Sequence, residues 1–113
     1  PTWKSPYQIK EYLDWLKKQK YVHFFELHNE NGEIVAAASL LDSHIKDFIV
    51  KFDKRGKGYG RKLMKIILTE VRTRPLFLQA APKFQDFYES FGFKIYGYDK
   101  GNGNLFMKIG RFR

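Results

Sequence analysis

From residue 21 onward the chain carries three runs typical of strands, and its apolar residues then change to a helical period. Three runs, 21–28, 33–41 and 44–52, are separated by turn-forming residues and predict an antiparallel meander; the first is rich in β-branched and aromatic residues. From Gly58 to Arg72 the apolar residues recur every three or four positions, which predicts a helix. The short apolar run 76–80 then predicts a strand that is buried on both faces.

Further elements flank this central part of the chain. Apolar residues at helical spacing predict an amphipathic helix over 6–18, and a second short helix over 82–91, which Gly92 ends. Two last strands are expected at 93–98 and 105–109. Because a strand–helix–strand order implies a right-handed crossover between parallel strands, the predicted class is α+β. It has a mixed central sheet, in which an antiparallel meander precedes a parallel strand–helix–strand unit, with helices on both faces.

Composition limits the kinds of protein that fit. A length of 113 residues with 43% apolar and 18% aromatic content predicts a single domain, 1–113, with a real core. The absence of cysteine excludes disulfides, thiolate metal sites and a cysteine nucleophile, and we expect no metal site. No run approaches the ~20 apolar residues that cross a bilayer, and no signal peptide is visible. We therefore expect a cytoplasmic protein with no membrane partner.

The positive charge is concentrated in one stretch, 51–65. The chain has a formal net charge of +9, and this stretch holds seven basic residues and one acidic residue, a net of +6. Gly56, Gly58 and Gly60 alternate in it, between a predicted strand and a predicted helix. Backbone N–H groups in such a loop and the positive end of the helix favour an anion. The pattern predicts a phosphate or pyrophosphate at 55–61, although neither the P-loop nor the dinucleotide fingerprint is matched.

Two motifs give the chain a family resemblance. Arg55-Gly56-Lys57-Gly58-Tyr59-Gly60 fits the pattern [QR]-x-x-G-x-[GA], and residues 87–93 read F-Y-x-x-x-G-F. The second helix begins at Pro82, 27 residues after Arg55, with a predicted helix and strand between. In this order the motifs resemble those of the GNAT superfamily, the acetyl-CoA-dependent N-acetyltransferases. The resemblance covers about residues 21 to 109 and indicates a compact member with a short N-terminus.

The resemblance implies a donor site for acetyl-CoA. Backbone groups of Val50 and Phe52 would pair with the pantetheine arm, and the N–H of Phe48 would face the thioester carbonyl. An N–H in that position stabilises an oxyanion by about 3 kcal/mol. Tyr88 would protonate the departing thiolate, or else it is one more core aromatic among its neighbours. The backbone N–H groups that would hold the pyrophosphate belong to Arg55, Gly56, Lys57, Gly58, Tyr59, Gly60 and Arg61.

The sequence indicates the general base less clearly than the cofactor site. Some members of the family carry a glutamate four residues before the position of Phe48, and this chain has His44 there. Imidazole titrates near neutrality and could accept the proton of an ammonium substrate, but a histidine at the start of a strand is also commonly just solvated. Asp42, Asp47 and Glu26 are weaker candidates.

Three departures from the family pattern affect the expected site. Phe52 stands where proline is common, and Ala81 replaces an asparagine that often contacts the cofactor. The chain also has room for about one helix before the meander. We therefore expect an acceptor site that is open, completed by another chain such as a homodimer partner, or formed by a region outside this sequence. The acceptor would be the amine of a small molecule, a peptide or a protein lysine.

Two other functions use the same residues. One is a non-catalytic module that binds coenzyme A, and the other is a nucleic-acid-binding module that uses the basic glycine-rich stretch. The second is mildly disfavoured because the charge is compact, and the remaining 98 residues carry only +3. An acceptor that is itself associated with nucleic acid would combine the two activities.

Overall fold

A computed structural model describes residues 22–72 and 75–110. In these residues six strands form one sheet in the order β1-β2-β3-β4-β6-β5. Strands β3 and β4 are parallel, whereas β4–β6 and β5–β6 are antiparallel, so the predicted mixed sheet is confirmed. The strands are β1 (Val22–His28), β2 (Ile34–Leu41), β3 (His44–Val50), β4 (Leu76–Ala80), β5 (Lys94–Tyr98) and β6 (Leu105–Ile109). The helices are α1 (Tyr59–Glu70), α2 (Gln85–Glu89) and two 3₁₀ turns, Phe52–Lys54 and Pro82–Phe84.

The described residues divide into two compact units, and the first comprises 22–42 and 46–71. Its β1–β2 hairpin turns at Asn29, whose side-chain oxygen accepts from the N–H groups of Asn31 and Glu33. Gly32 completes the turn with a φ of +79°. Helix α1 packs on β1 and β2, and its buried face consists of Leu63, Met64 and Ile67.

Strand β2 forms the centre of the first unit. Residues 35–40 are all buried, so both faces of this strand are covered. Its small side chains allow the neighbouring elements to approach closely. The hydroxyl of Ser39, only 2% exposed, donates to the carboxylate of Asp47 at 2.8 Å, which satisfies the polar group that the strand buries.

The second unit comprises 43–45, 72 and 75–110. Here His44 and Ile45 at the start of β3 pair with Phe77 and Leu78 of β4. One face of β4 and β6 is apolar and buried, and Phe93 after α2 is 1% exposed. The buried side chains of the two strands are Leu76, Leu78, Ala80, Leu105 and Met107.

Several predicted boundaries and one burial pattern were wrong. Strand β3 ends at Val50 rather than at residue 52, because the chain turns into the 3₁₀ helix that begins at Phe52. The prediction that 76–80 is buried on both faces fails, since Gln79 is exposed and Phe77 half-buried. The helix predicted over 82–91 is a 3₁₀ turn followed by the short α2.

Two predictions extend beyond what the structure describes. The helix over 6–18, which belonged to the expected helices on both faces, lies outside the described residues. The single domain over 1–113 stays a prediction. Within the described ranges, no helix is long and apolar enough to cross a membrane.

Candidate functional site

The glycine-rich loop leaves open space at the start of α1. Gly56 and Gly58 have φ values of +79° and +83°, and no atom of a residue beyond their chain neighbours lies within 4 Å of where a Cβ would stand at either. Gly58 is the N-cap of α1, and neither a capping side chain nor an acidic residue satisfies the first turn. The N–H groups of a helix's first turn lack intrahelical partners and attract anions. The loop therefore has the conformation and the space for a phosphate group.

Arg55, the first residue of the motif, folds back on its own loop. Its Nε donates to the carbonyl oxygen of Val50 at 3.1 Å, and its guanidinium lies 5.3 Å from the ring centroid of Phe52. Phe52 is itself 53% exposed, so the cation covers an otherwise solvated ring. Arg55 thus links the end of β3 to the beginning of the motif, a role that the sequence did not indicate.

The basic charge of the stretch is partly compensated by a residue from another part of the chain. Glu33, at the end of the β1–β2 turn, accepts a hydrogen bond from Lys51 and lies 3.5 Å from Nζ of Lys54. The hydrogen bond from Lys51 is the main reason that the pKa of Glu33 is lowered. The local charge of +6 counted along the sequence therefore overstates the charge that a ligand would meet.

The direction in which the backbone hydrogen bonds of odd-numbered residues point reverses along β3. We call this reversal the phase change of β3. At its beginning the odd-numbered residues face β4, because the carbonyl of Ser43 accepts from the N–H of Phe77. Directly after its end, the odd-numbered Lys51 faces β2, because its N–H donates to the carbonyl of Val35 at 2.8 Å. A regular strand keeps one parity throughout, so an irregularity lies between Ile45 and Lys51.

Tyr59 directs its side chain toward the β1–β2 turn. Its ring lines a cavity of about 360 Å³, and Nζ of Lys62 lies 5.8 Å from the ring centroid. The remaining lining residues are Leu27, His28, Asn29, Glu30 and Asn31. Only the backbone of Tyr59 is therefore available to bind a ligand in the glycine-rich loop.

Tyr88 lies on α2 in an aromatic cluster of the second unit. Its ring centroid is 5.1 Å from that of Phe87 and 6.1 Å from that of Phe93. Burial raises its pKa to about 12, because the ionised phenolate would lose solvation there. The phenol is consequently a proton donor at every physiological pH. Both interpretations offered by the sequence, a core aromatic and an acid, are compatible with this environment.

The candidates for the general base differ in their surroundings. His44 is exposed, and its ring stacks on Phe77 with centroids 5.3 Å apart. Asp47 accepts a hydrogen bond from the hydroxyl of Ser39, and Glu26 accepts one from Nε2 of His28 at 2.7 Å. Asp42 occupies a tight turn with a φ of +56°. Among these, His44 combines solvent access with a fixed ring orientation.

The structure distributes the predicted site residues over the two units. Phe48, Val50, Phe52 and the loop 55–61 are continuous in the first unit, whereas His44 and Tyr88 belong to the second. Ala81, which replaces the expected asparagine, is the N-cap of a 3₁₀ turn that has no side-chain cap. Within the described ranges, no three His, Asp or Glu side chains are placed to hold a metal ion.

Comparison with known proteins identifies the family of this chain. The family model described as an acetyltransferase (GNAT) domain matches residues 4–105, which confirms the resemblance indicated by the two motifs. A sequence comparison with curated proteins finds no match.

Solved structures of the same fold include bacterial and eukaryotic proteins. The chain is similar to Escherichia coli ElaA, with 28% identity and a TM-score of 0.69 over 80% of this chain and 69% of that one. An acyl-CoA N-acyltransferase from Pseudomonas aeruginosa is 20% identical, with a TM-score of 0.69 over 87% and 74%. Tetrahymena GCN5 is 16% identical, with a TM-score of 0.69 over 93% and 78%.

Proposed function

We propose, from the premise that the chain belongs to the GNAT acetyltransferase family, that acetyl-CoA is its donor and that the glycine-rich loop holds the donor's pyrophosphate. Membership of the family makes the chain an N-acetyltransferase, which takes an acyl group from an acyl-CoA and transfers it to an amine. The acetyl group, the residues that act and the identity of the amine are parts of the proposal.

The proposal is supported above all by the backbone at Gly56 and Gly58, which has positive φ values and open space beside it. Both residues have conformations that other residues rarely adopt, and no protein atom occupies the space in front of them. The first turn of α1 has no capping side chain and no carboxylate that would compete with an anion. N–H groups from Arg55 through Arg61 would donate to the pyrophosphate oxygens, with the lysine and arginine side chains supplying positive charge.

The end of β3 would hold the pantetheine arm. The carbonyl oxygen of Val50 has a second lone pair besides the one that accepts from Arg55. Phe52, at the start of the 3₁₀ turn, would provide the next backbone contact. If the phase change of β3 precedes Phe48, the N–H of Phe48 and the backbone groups of Val50 point away from β2. The N–H of Phe48 could then donate to the thioester carbonyl oxygen as that oxygen gains negative charge.

Proton transfers would use Tyr88 and His44. Acyl-CoA supplies an activated thioester, and an amine attacks its carbonyl carbon directly, since the described chain has no cysteine to carry the acyl group. Tyr88, whose pKa of about 12 keeps it protonated, would donate a proton to the departing thiolate. His44, exposed and fixed by stacking on Phe77, would accept the proton that the amine loses, directly or through water.

The acceptor is proposed as an amine that is not a polycation. One structural neighbour is described as a chimera of spermidine N-acetyltransferase, at 16% identity. In this chain the loop carries a strong excess of positive charge, and Glu33 is already engaged with Lys51 and Lys54. A polyamine would be repelled by that field, whereas a single amine on a small molecule, peptide or protein would be repelled much less.

Calorimetric titration with acetyl-CoA, together with Tyr88→Phe, tests the proposal. We expect saturable binding by the wild type and no binding by Gly58→Glu, which places a carboxylate at the phosphate position. Tyr88→Phe should retain binding and lower kcat by about 10²- to 10⁴-fold, the usual contribution of a general acid. Tyr98→Phe, which changes a tyrosine that is 66% exposed, is the matched control and should leave kcat unchanged.

Two outcomes would contradict the proposal. The donor assignment fails if millimolar acetyl-CoA produces no heat and no protection against thermal unfolding. The mechanism fails if Tyr88→Phe transfers acetyl groups at the wild-type rate, in which case the ring has a purely structural role.

A further inference from the structure

The second unit has one sheet face on which aromatic and basic side chains are accessible. The neighbours of these residues along β3, β4 and β6, such as Leu78 and Met107, are mostly buried on the opposite face. We call this surface the aromatic face. It consists of His44 from β3, Phe77 and Gln79 from β4, Phe106 and Lys108 from β6, and Lys94 and Tyr96 from β5.

The rings of the aromatic face contact one another across the strands. The centroid of Tyr96 lies 6.1 Å from those of Phe77 and Phe106, and Phe77 in turn stacks on His44. Tyr96 is 50% exposed. The pairing of β5 with β6 shifts register between Ile95 and Gly97, so Tyr96 is the extra residue of a bulge. The result is a continuous row of rings on an accessible surface.

Two lysines face each other beside this row. Lys94 and Lys108 are directly paired across β5 and β6, and Nζ of Lys108 lies 5.3 Å from the ring centroid of Tyr96. Like charges placed opposite each other destabilise a strand pair. Strands β4, β5 and β6 contain no acidic residue that could relieve this repulsion. The lysine pair therefore favours an anion on the aromatic face.

The charge also decides between kinds of partner. A second copy of the chain packed symmetrically on this face would bring four lysines together with no carboxylate from these strands. An uncharged apolar partner would remove both ammonium groups from water without replacing their hydration. A partner that carries both negative charges and flat, stackable groups satisfies the lysines and the rings together.

We propose that the aromatic face binds single-stranded nucleic acid, with bases stacked on Tyr96 and Phe106 and phosphates at Lys94 and Lys108. Base–aromatic stacking on a strand surface and cations along the backbone are the usual means by which single strands are bound without strong sequence preference. The proposal does not depend on the acyl-transfer reaction. Its stacking rings and lysines lie outside the glycine-rich loop, although His44, the proposed base, also belongs to the aromatic face.

Fluorescence anisotropy with fluorescein-labelled 12-nucleotide oligouridylate tests this proposal. We expect binding at low salt that weakens as salt rises. Tyr96→Ala should weaken it by about 5- to 150-fold, the range found for removing one stacking ring. Lys94→Gln with Lys108→Gln should reduce the salt slope by about 1.4, since each phosphate contact contributes about 0.7 on single strands. Tyr98→Ala is the control, because Tyr98 pairs with Leu105 and so points to the other side of β5.

Competition separates this surface from the basic loop. Saturating acetyl-CoA should leave the bound oligonucleotide in place. Unchanged binding by both Tyr96→Ala and the double lysine variant would overturn the proposal. Displacement by acetyl-CoA would also overturn it and would place the nucleic acid at the donor site that includes the loop 55–61. The proposal is equally refuted if the oligonucleotide fails to bind at 50 mM salt, or if oligoglutamate competes with it at equal charge. Retained near-ultraviolet circular dichroism of the lysine variant shows that loss of binding is not loss of folding.

Discussion

Replacing Gly58 with alanine separates the conformational role of this glycine from its role in binding. At a φ of +83° an L residue is strained, and this conformation costs about 1–2 kcal/mol. Alanine also restricts the unfolded chain, which offsets about 0.4–1 kcal/mol. The net loss should be about 1 kcal/mol, a decrease in Tm of about 4 °C for a domain of this size. No protein atom lies within 4 Å of the new Cβ, so packing adds nothing to the loss.

The same methyl group should have a much larger effect on donor binding. It would project into the space that we assign to the pyrophosphate and displace at least one charge-assisted hydrogen bond. Such a bond contributes about 1.5–3 kcal/mol, so acetyl-CoA should bind about 10- to 150-fold more weakly. The loss is therefore larger than the change in stability, and a titration performed well below Tm will detect it.

Gly32→Ala provides a matched control in the same unit. Gly32 has a φ of +79°, again with no atom within 4 Å of a Cβ, but it lies in the β1–β2 turn. Calorimetry should show similar destabilisation of both variants, with weakened acetyl-CoA binding only for Gly58→Ala. Equal affinities of the two variants would refute the assignment of the loop as the pyrophosphate site, whatever their stabilities.

Two further predictions concern pH. Burial raises the pKa of Tyr88 to about 12, so the fold favours the neutral phenol. The stability that this preference contributes is present below about pH 10. It is lost as pH rises toward 12. The stability of the wild type should therefore fall more steeply than that of Tyr88→Phe between pH 9 and 11 in urea unfolding, while kcat of the wild type shows no loss from Tyr88 below pH 10. The pKa of Glu33 is lowered by its hydrogen bond from Lys51, so its contribution is present above about pH 4.5 and is lost as pH falls below that value. Glu33→Gln should flatten the stability profile between pH 3 and 5, as measured by urea unfolding.

Sequence patterns predicted the elements of the fold because each has a strong local signal. The β-branched and aromatic residues of 21–28, the helical period after Gly58 and the glycines at turns depend only on neighbouring residues. The end of β3 was predicted two residues late because Phe52 is a good strand residue, and the 3₁₀ turn there is stabilised by Arg55 rather than by local propensity.

The parts of the site that escaped prediction depend on contacts distant in sequence. Glu33 lies 18 residues before Lys51 and has no motif around it, yet it compensates the charge of the basic stretch. The phase change of β3 is set by two different neighbours, β4 at its beginning and β2 at its end. No periodicity in 44–50 distinguishes such a strand from a regular one. The partial exposure of 76–80 was misjudged because Phe77 counts as apolar although it lies on an accessible face.

The contacts of Arg55 have a consequence for the speed of donor binding. Its hydrogen bond to Val50 and its position over Phe52 fix the loop in the absence of any ligand. The N–H of Lys54 also donates to the carbonyl of Lys51, and that of Lys62 to the carbonyl of Gly58. A loop that is already ordered gives up little conformational freedom when a ligand binds. Association with acyl-CoA should therefore be a single bimolecular step, faster at low ionic strength and without a slower unimolecular phase in stopped-flow traces.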